Sequence, residues 1–301
     1  MNINLKQGQW IGFVYAALAT IIWSGNFLIA RGLNDKIPPV SLAFWRWTVA
    51  TIVVFPIIIK SVYTQRKLLR QHAGYLVVTS ILGVSVFNTL IYIAGQTTSA
   101  LNLSLISITF PVFTIILARI FLKEPITVSK TGGVMVIIFG VILLVSKGNL
   151  NSLFSMSFAI GDVWMLLASL IFAIYSLLVK SRPLEIRPQS FLGSTFLIGL
   201  IFLSPFYLFS LNGSDSGLYD QVTIYSILYI GIFASVVAYF LWNRSVDLLG
   251  PSKASMIYYT IPIFSGILAY IFLNEKIMPV HLISGLLILS GIFIANRKAA
   301  G

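Results

Sequence analysis

The chain of 301 residues contains no cysteine, and charged residues make up only 9% of it. The absence of cysteine excludes disulfides and thiolate metal sites. The low charge, together with 58% hydrophobic residues and a mean hydropathy of +0.95, is incompatible with the solvated surface of an ordinary globular domain. The composition therefore predicts an integral membrane protein in a lipid bilayer, for which we expect neither a metal nor a cofactor.

Apolar stretches recur along the chain at about the 20-residue length that a helix needs to cross a hydrocarbon core of roughly 30 Å. A transmembrane β-barrel would instead show alternating segments of about ten residues. The continuous run from Leu192 to Leu203 does not fit that pattern. We expect an all-α polytopic protein whose ten transmembrane helices cover residues 10–32, 39–60, 74–95, 98–121, 128–147, 159–180, 189–209, 223–245, 252–273 and 279–296.

The ten predicted helices form two copies of one five-helix unit. Residues 102–147 align with residues 253–298 at an offset of 151 without a gap, and 16 of the 46 aligned pairs are identical. Earlier in the chain the offset is 149, which pairs Gly12 with Gly161. We therefore expect two repeats, residues 10–147 and residues 159–298. Because five is odd, the second repeat enters the bilayer from the opposite face, as in the inverted repeats of many secondary transporters.

Basic residues are distributed unevenly between the two sides of the predicted bundle. Fifteen of the 20 Lys and Arg residues fall on one side, so the positive-inside rule places that side, and both termini, in the cytoplasm. This topology explains the net charge of +12 without a nucleic-acid partner. We expect the protein in the inner (cytoplasmic) membrane of a bacterium.

Four segments resemble the EamA-type branch of the drug/metabolite transporter superfamily. They are WSGNF at Trp23–Phe27, AFWRW at Ala43–Trp47, the run from Thr98 to Glu124, and its partner from Gly250 to Glu275. The similarity covers residues 10–298. It implies a ten-helix fold with a central cavity between helices 1 to 4 and 6 to 9, and with helices 5 and 10 at the periphery. It also implies the export of amino acids or other small metabolites.

Polar residues inside the predicted spans mark the candidate binding site, because each one costs free energy in the bilayer unless it faces protein or water. Arg46 is the charge that lies well inside a span, where it either contacts a substrate carboxylate or has a structural role. The other polar candidates either line the cavity or only bond between helices. The full set is Trp23, Asn26, Arg46, Asn88, Tyr92, Gln96, Tyr175, Tyr239, Trp242, Asn243 and Tyr258.

Two polar stripes in this set are counterparts in the two repeats. Asn88, Tyr92 and Gln96 follow one another at intervals of four and share a face of helix 3. The offset of 151 places Tyr239 on Asn88, and Asn243 on Tyr92. We expect the two stripes to bracket one cavity from opposite sides.

No carboxylate and no histidine lies near the middle of a predicted span. Proton-coupled carriers usually place such a group along their path, so we expect a facilitator that exports its substrate by alternating access. The tryptophans, tyrosines and amides suit a small amphipathic metabolite, foremost an amino acid, with aromatic amino acids among the candidates. Carriers of nucleotide sugars, drugs or other metabolites remain open, as do a channel and a non-transporting scaffold. We do not expect an enzyme, because the sequence offers no intramembrane nucleophile and base.

Prolines, glutamates and glycines recur in the two repeats with structural roles. Pro111 and Pro262 are expected to interrupt helices 4 and 9 and to serve as hinges. Glu124 and Glu275 end those helices, where their carboxylates are expected to meet free N–H groups at the start of helices 5 and 10. Small residues on helices 5 and 10 allow close packing, either between the two halves or in a homodimer: Gly132, Gly133, Gly140, Gly285 and Gly291.

Overall fold

The computed structural model of the protein describes residues 5–33, 35–98, 103, 106–146, 149, 159–210, 220–273 and 279–296. Every regular element in these ranges is a helix. Six helices are long and apolar enough to cross a bilayer, and three shorter apolar helices accompany them in the described part of the chain. The prediction of an all-helical polytopic membrane protein is confirmed.

The first half of the chain begins with two long helices. They are α1 (Leu5–Gly32) and α2 (Pro39–Thr64). The elements that follow are the short helix α3 (Arg66–Gln71), α4 (Ala73–Ser80), a π-helical segment (Ile81–Val86), α5 (Phe87–Thr97), α6 (Thr109–Phe121) and α7 (Val128–Val145).

Two long helices again come first in the second half of the chain. They are α8 (Ile160–Lys180) and α9 (Pro188–Ser210). The remaining elements are α10 (Gln221–Gly231), a second π-helical segment (Ile232–Val237), α11 (Ala238–Leu249), α12 (Pro251–Ile257), a 3₁₀ turn (Tyr258–Thr260), α13 (Ile261–Leu273) and α14 (Pro279–Asn296).

The two π-helical segments occupy equivalent positions, since adding 151 to residues 81–86 gives residues 232–237. A π segment replaces the regular bonds of an α-helix by i→i+5 bonds and is often found at functional sites. The segments join α4 to α5 and α10 to α11, so each long helix is continuous through its middle. They bring irregular backbone to the centre of both helices.

The helical breaks near Pro111 and Pro262 fall ahead of each proline. Pro262 has no N–H to donate to the Tyr258 carbonyl, which instead accepts from Ile261 in a 3₁₀ turn. Both prolines lie in the first turn of the helix that follows, α13 or α6, where a missing N–H costs nothing. The structure therefore places the prolines just after an irregular turn, and their role as hinges stays a prediction.

The bundle has two ends, which we name after Lys36 and Asp247. At the Lys36 end, Arg31 Nη1, in the last turn of α1, donates to the Gly95 carbonyl at 3.1 Å. The first turn of α8 lies at this same end, where Gly161 packs directly against the Ala94 carbonyl. The end of α1 is therefore beside the start of α8.

At the Asp247 end the order of these two helices is reversed. Lys180 Nζ, the last residue of α8, donates to the Asp247 carbonyl at 3.1 Å. The beginning of α1 lies at this end too, because Gly12 packs against Leu249. The two helices α1 and α8 thus run through the bundle in opposite directions.

Helices α7 and α14 make the most extensive helix–helix contact among the described residues. Gly133 and Gly291 face each other there, and a Cβ on Gly133 would overlap the backbone nitrogen of Ala295. Gly140 packs in the same way against Ile288. Gly132 and Gly285, in contrast, have no heavy atom near the position of a Cβ. Three of the five predicted glycines therefore join α7 to α14 within the chain, and the homodimer stays a prediction.

Replacing Gly133 by valine is expected to lower the stability of the protein in detergent, because the new side chain forces α7 away from α14. Overpacking of this kind costs about 1–3 kcal/mol. Gly132→Val is the matched control, since the neighbouring position opens onto free space. A thermal unfolding series should show a lower midpoint for Gly133→Val only. Equal midpoints for the two variants would contradict the packing described.

Candidate functional site

Arg46 lies at the centre of a fully buried polar cluster. Its Nε donates to Ser235 Oγ at 2.6 Å, and its Nη2 donates to the Ala234 carbonyl at 3.0 Å. Its Nη1 donates to Asn26 Oδ1 at 3.0 Å and to the Tyr92 hydroxyl at 2.8 Å. The guanidinium carbon also lies 5.3 Å from the centroid of the Trp47 ring, a distance at which the ring face stabilises a cation.

The acceptors around Arg46 are all neutral. The three ion pairs found in the described residues involve other side chains, at the two ends of the bundle. A buried charge is costly unless it is paired or fully hydrogen-bonded. Four hydrogen bonds offset part of that cost for Arg46, but its positive charge is left without a counter-charge in the described part of the chain.

The Asn26–Tyr92 pair completes the first cluster. The Tyr92 hydroxyl donates to Asn26 Oδ1 at 3.1 Å, so this one oxygen accepts from both the tyrosine and the arginine. Asn26 comes from α1 and Tyr92 from α5, which places the cluster where these helices meet α2 and the second π-helical segment. Both side chains are almost completely buried.

A second pair repeats this arrangement with the residue types exchanged. The Tyr175 hydroxyl donates to Asn243 Oδ1 at 3.0 Å. Adding 149 to Asn26 gives Tyr175, and adding 151 to Tyr92 gives Asn243. Arg46 has a neutral counterpart, Thr195 (46 + 149), whose hydroxyl bonds to the Leu192 carbonyl. The two clusters therefore share a geometry, but the first carries the charge.

Asn88 and Tyr239 join the two clusters. Asn88 Nδ2 donates to the Tyr239 hydroxyl at 2.9 Å, and these residues are counterparts because they are 151 positions apart. The same hydroxyl donates to the Gly83 carbonyl, in the first π-helical segment, at 2.6 Å. The equivalent carbonyl in the second π-helical segment, that of Ala234, accepts from Trp23 Nε1 at 2.9 Å. Both irregular segments thus supply backbone acceptors to the site.

Aromatic rings form the apolar walls of the site. The Trp23 ring lies 5.3 Å from Phe172, which is its counterpart (23 + 149), and 5.3 Å from Trp242. Phe110 packs between Phe172 and Tyr258, at 4.9 and 4.8 Å. The rings leave a cavity of about 10 Å³, room for about one water. It is lined by Trp23, Asn26, Phe27, Phe87, Asn88, Ile91 and Tyr258.

Side-chain contacts join the helices at both ends of the bundle. At the Lys36 end, Lys36 Nζ donates to Asp220 Oδ2 at 2.6 Å, and this hydrogen bond lowers the pKa of Asp220 below its ordinary value. At the Asp247 end, Arg182 Nη2 lies 2.9 Å from Asp247 Oδ2. Nearby, Gln65 Nε2 donates to the Glu185 carbonyl at 2.7 Å. These contacts tie the helices together at both ends of the bundle.

The structure brings most of the predicted binding residues together. All but one of the eleven are buried, and the exception is Gln96, whose side chain is exposed in the last turn of α5. Trp242 joins the group through its ring and through Nε1, which donates to Ser176 Oγ at 3.2 Å. Gln96 lies one turn beyond Tyr92 and does not line the cavity.

Of the two glutamates that recur in the repeats, the structure describes Glu124. A carboxylate oxygen of Glu124 lies 3.0 Å from where a Cβ on Gly250 would stand. Gly250 precedes α12 and has a positive φ of 83°, so a side chain there would be strained as well as crowded. Glu124 thus lies beside the start of α12, and its predicted contact with the start of α7 stays a prediction. Glu275 lies outside the described residues.

Several residues of the site are absent from the predicted set. Ser235 holds Arg46, while Phe27, Phe87 and Ile91 line the cavity. Ser235 belongs to the second π-helical segment, which the amino-acid composition does not predict. The four-residue spacing of Ser235 and Tyr239 was the available signal for this serine.

Comparison with known proteins identifies similarity over the whole chain. The profile of a family described as "EamA-like transporter family" matches residues 10–146 and 159–297. An uncharacterized transporter of Archaeoglobus fulgidus is 28% identical over 285 residues, which cover 94% of this chain and 96% of that protein. A probable terminal-alkyne amino-acid exporter of Streptantibioticus cattleyicolor is 23% identical over 295 residues, which cover 96% of this chain and 94% of that protein.

One solved structure shows the same fold. A crystal structure with 17% sequence identity matches with a TM-score of 0.76, and the match covers 97% of this chain and 96% of that chain. At this identity the similarity concerns the path of the backbone and carries no information on the substrate.

Proposed function

Because the chain belongs to the EamA-like transporter family, within the drug/metabolite transporter superfamily, we propose that it carries a small amphipathic metabolite with a carboxylate group. An amino acid with an apolar side chain, aromatic ones included, fits best. The single observation that carries this proposal is the buried guanidinium of Arg46, whose four acceptors are neutral. A substrate carboxylate supplies the counter-charge, and charge-assisted pairs of arginine and carboxylate are among the stronger hydrogen bonds.

The walls of the site support an apolar substrate body. Trp23, Phe87 and Tyr258 line the cavity together with two amides, those of Asn26 and Asn88. Aromatic faces bury an apolar group, and amide oxygens accept from an ammonium group. The relative described as an amino-acid exporter lends further support to this substrate class and to export as the direction of transport.

The transport mechanism in this proposal is alternating access between two inverted repeats, residues 10–147 and 159–298. Three counterpart pairs are in contact across the bundle, as expected near a pseudo-twofold axis: Asn88 with Tyr239, Trp23 with Phe172, and Trp47 with Phe196. The opposite directions of α1 and α8 support the inversion. A cavity of only about 10 Å³ suits a carrier better than an open channel.

The proposal also specifies the membrane location of the protein, its orientation and the driving force for transport. We place the protein in the cytoplasmic membrane of a bacterium, with ten transmembrane helices, both termini in the cytoplasm and the Asp247 end on that side. Basic residues concentrate at that end, which supports the orientation. Transport is driven by the substrate gradient, because the cavity is lined by neutral residues in this structure.

Counterflow in proteoliposomes tests the function. Vesicles loaded with unlabelled L-phenylalanine are expected to accumulate external labelled L-phenylalanine transiently, with saturation, and to do so equally with and without a pH gradient. A panel of other amino acids, a nucleotide sugar and a cationic drug establishes specificity. Flux without saturation indicates a channel, and the absence of flux for the whole panel contradicts the proposal.

A further inference from the structure

A second group of charged side chains lies at the Asp247 end, separate from the central cavity. The Asp247 carboxylate lies 2.9 Å from Arg182 and 3.9 Å from Arg244. Lys180 donates to the Asp247 carbonyl. Three cations contact Asp247, two at its carboxylate and one at its backbone carbonyl, so the cluster has an excess of two positive charges (3 − 1 = 2). The Arg182 and Asp247 side chains are mostly buried, at 9% and 17% exposure, whereas Arg244 is 43% exposed.

Buried donors in this group have no hydrogen-bond partner within the part of the chain that the structure describes. They are Nε and Nη1 of Arg182 and Nδ2 of Asn243. The Asn243 side chain is 6% exposed, and its oxygen is already occupied by the Tyr175 hydroxyl. A buried donor left without an acceptor costs about 1–3 kcal/mol. An incoming anionic group with two oxygens is the chemistry that satisfies such donors.

A small cavity lies beside these groups. It measures about 10 Å³ and is lined by Pro188, Leu192, Phe240, Asn243, Arg244 and Asp247. It shares no lining residue with the cavity beside Trp23. The cavity therefore combines apolar walls, from Leu192 and Phe240, with three polar groups. These are the Asn243 amide, the Arg244 guanidinium and the Asp247 carboxylate.

We propose that this small cavity marks a second binding site for the substrate, at the mouth of the protein, which enlarges as the Arg182–Asp247 ion pair weakens. Arg244 and Asn243 bind the substrate carboxylate, and Leu192 and Phe240 contact its apolar side chain. The inference rests on the proposed function, because the ligand is the same carboxylate-bearing metabolite. The ammonium group of an amino acid competes with Arg182 for Asp247, so occupation of the site weakens the ion pair that joins the end of α8 to α11.

Site-specific labelling tests this inference, and the lack of native cysteine means that an introduced cysteine is the only reactive thiol. Pro188→Cys places a thiol in the wall of the cavity, where its reaction with a maleimide is followed in purified protein. L-phenylalanine and 3-phenylpropionate are expected to slow the reaction at least about 3-fold at concentrations above twice the Kd, by mass action. Phenethylamine, which lacks the carboxylate, is expected to leave the rate unchanged because the cluster is positively charged.

Two further substitutions separate the mouth from the central site. Arg244→Gln in the Pro188→Cys protein is expected to abolish the protection. Arg46→Gln is expected to preserve it. Ser181→Cys, an exposed position at the same end but outside the cavity, is the control whose labelling no ligand changes.

The second site is overturned by any of three results. They are protection by phenethylamine equal to that by L-phenylalanine, protection that depends on Arg46 rather than on Arg244, and no protection in a protein that shows normal counterflow. Failure of the proposed function has a different signature, since counterflow is then absent whatever the labelling shows.

Discussion

Arg46→Gln is expected to weaken binding of L-phenylalanine by at least about 30-fold, because removing one partner of a buried hydrogen-bonded charge pair costs roughly 2 kcal/mol or more. Glutamine keeps a polar side chain of moderate length but loses the charge and the forked set of donors. The measurement is the concentration of L-phenylalanine that gives half-maximal counterflow. Arg46→Lys retains the charge but loses the forked set of donors, so its half-maximal concentration should lie between those of the wild-type protein and Arg46→Gln.

A comparison of two ligands separates a direct effect of Arg46 on substrate binding from an effect on protein structure. Wild-type protein should prefer L-phenylalanine to L-phenylalaninamide, which has no carboxylate, and Arg46→Gln should lose that preference. Arg119→Gln makes the same chemical change at an exposed position on α6 and should behave as wild type. If Arg46→Gln lowers transport of the acid and the amide in equal proportion, Arg46 serves a structural role and does not contact the carboxylate.

Gly83→Ala is expected to slow exchange by roughly 5- to 150-fold, since overpacking a tight contact costs about 1–3 kcal/mol. Gly83 lies in the first π-helical segment, and a Cβ there would overlap the ring of Tyr175. The Tyr175 ring is completely buried and packs against Phe172 and Tyr239. In the proposed alternating-access cycle, the substitution therefore disfavours the conformation in which Gly83 packs against Tyr175.

The matched control for Gly83→Ala is Gly74→Ala, in α4 of the same long helix. No heavy atom lies within 4 Å of a Cβ at that position, so alanine there should be neutral or slightly stabilising. The initial rate of counterflow, corrected for the amount of folded protein, distinguishes the two variants. A Gly83→Ala protein that exchanges at the wild-type rate would show that the Gly83–Tyr175 contact is not part of the cycle.

The helical class and most of the buried site could be predicted because both depend on features that sequence displays directly. Long apolar runs have one stable form in a bilayer, and a polar residue inside such a run must face protein or water. Arg46, Asn26 and Asn88 were found by this reasoning. The offsets of 149 and 151 then connected Tyr175, Tyr239 and Asn243 to them, which local composition alone does not do.

Other features depended on tertiary contacts and local geometry. Each four-residue step turns a helix by about 40° beyond a full turn, so Gln96 is rotated about 80° from Asn88 and lies nearer the helix end, where it is exposed. The sequence predicts that Glu124 meets the next helix along the chain, and it does not reveal that Glu124 also lies beside Gly250 from the other half of the chain. The carbonyls of Gly83 and Ala234 join the site through π-helical segments that side-chain patterns do not reveal.

The most direct test of the account concerns the opposite orientation of the two repeats. Lys36 and Glu185 are counterparts (36 + 149 = 185), and both side chains are exposed. Each is replaced by cysteine separately, and intact cells are treated with a maleimide that cannot cross the membrane. The account predicts labelling of Lys36→Cys in intact cells and of Glu185→Cys only after permeabilisation. Labelling of both positions from the same side would contradict the inverted architecture and the alternating access built on it.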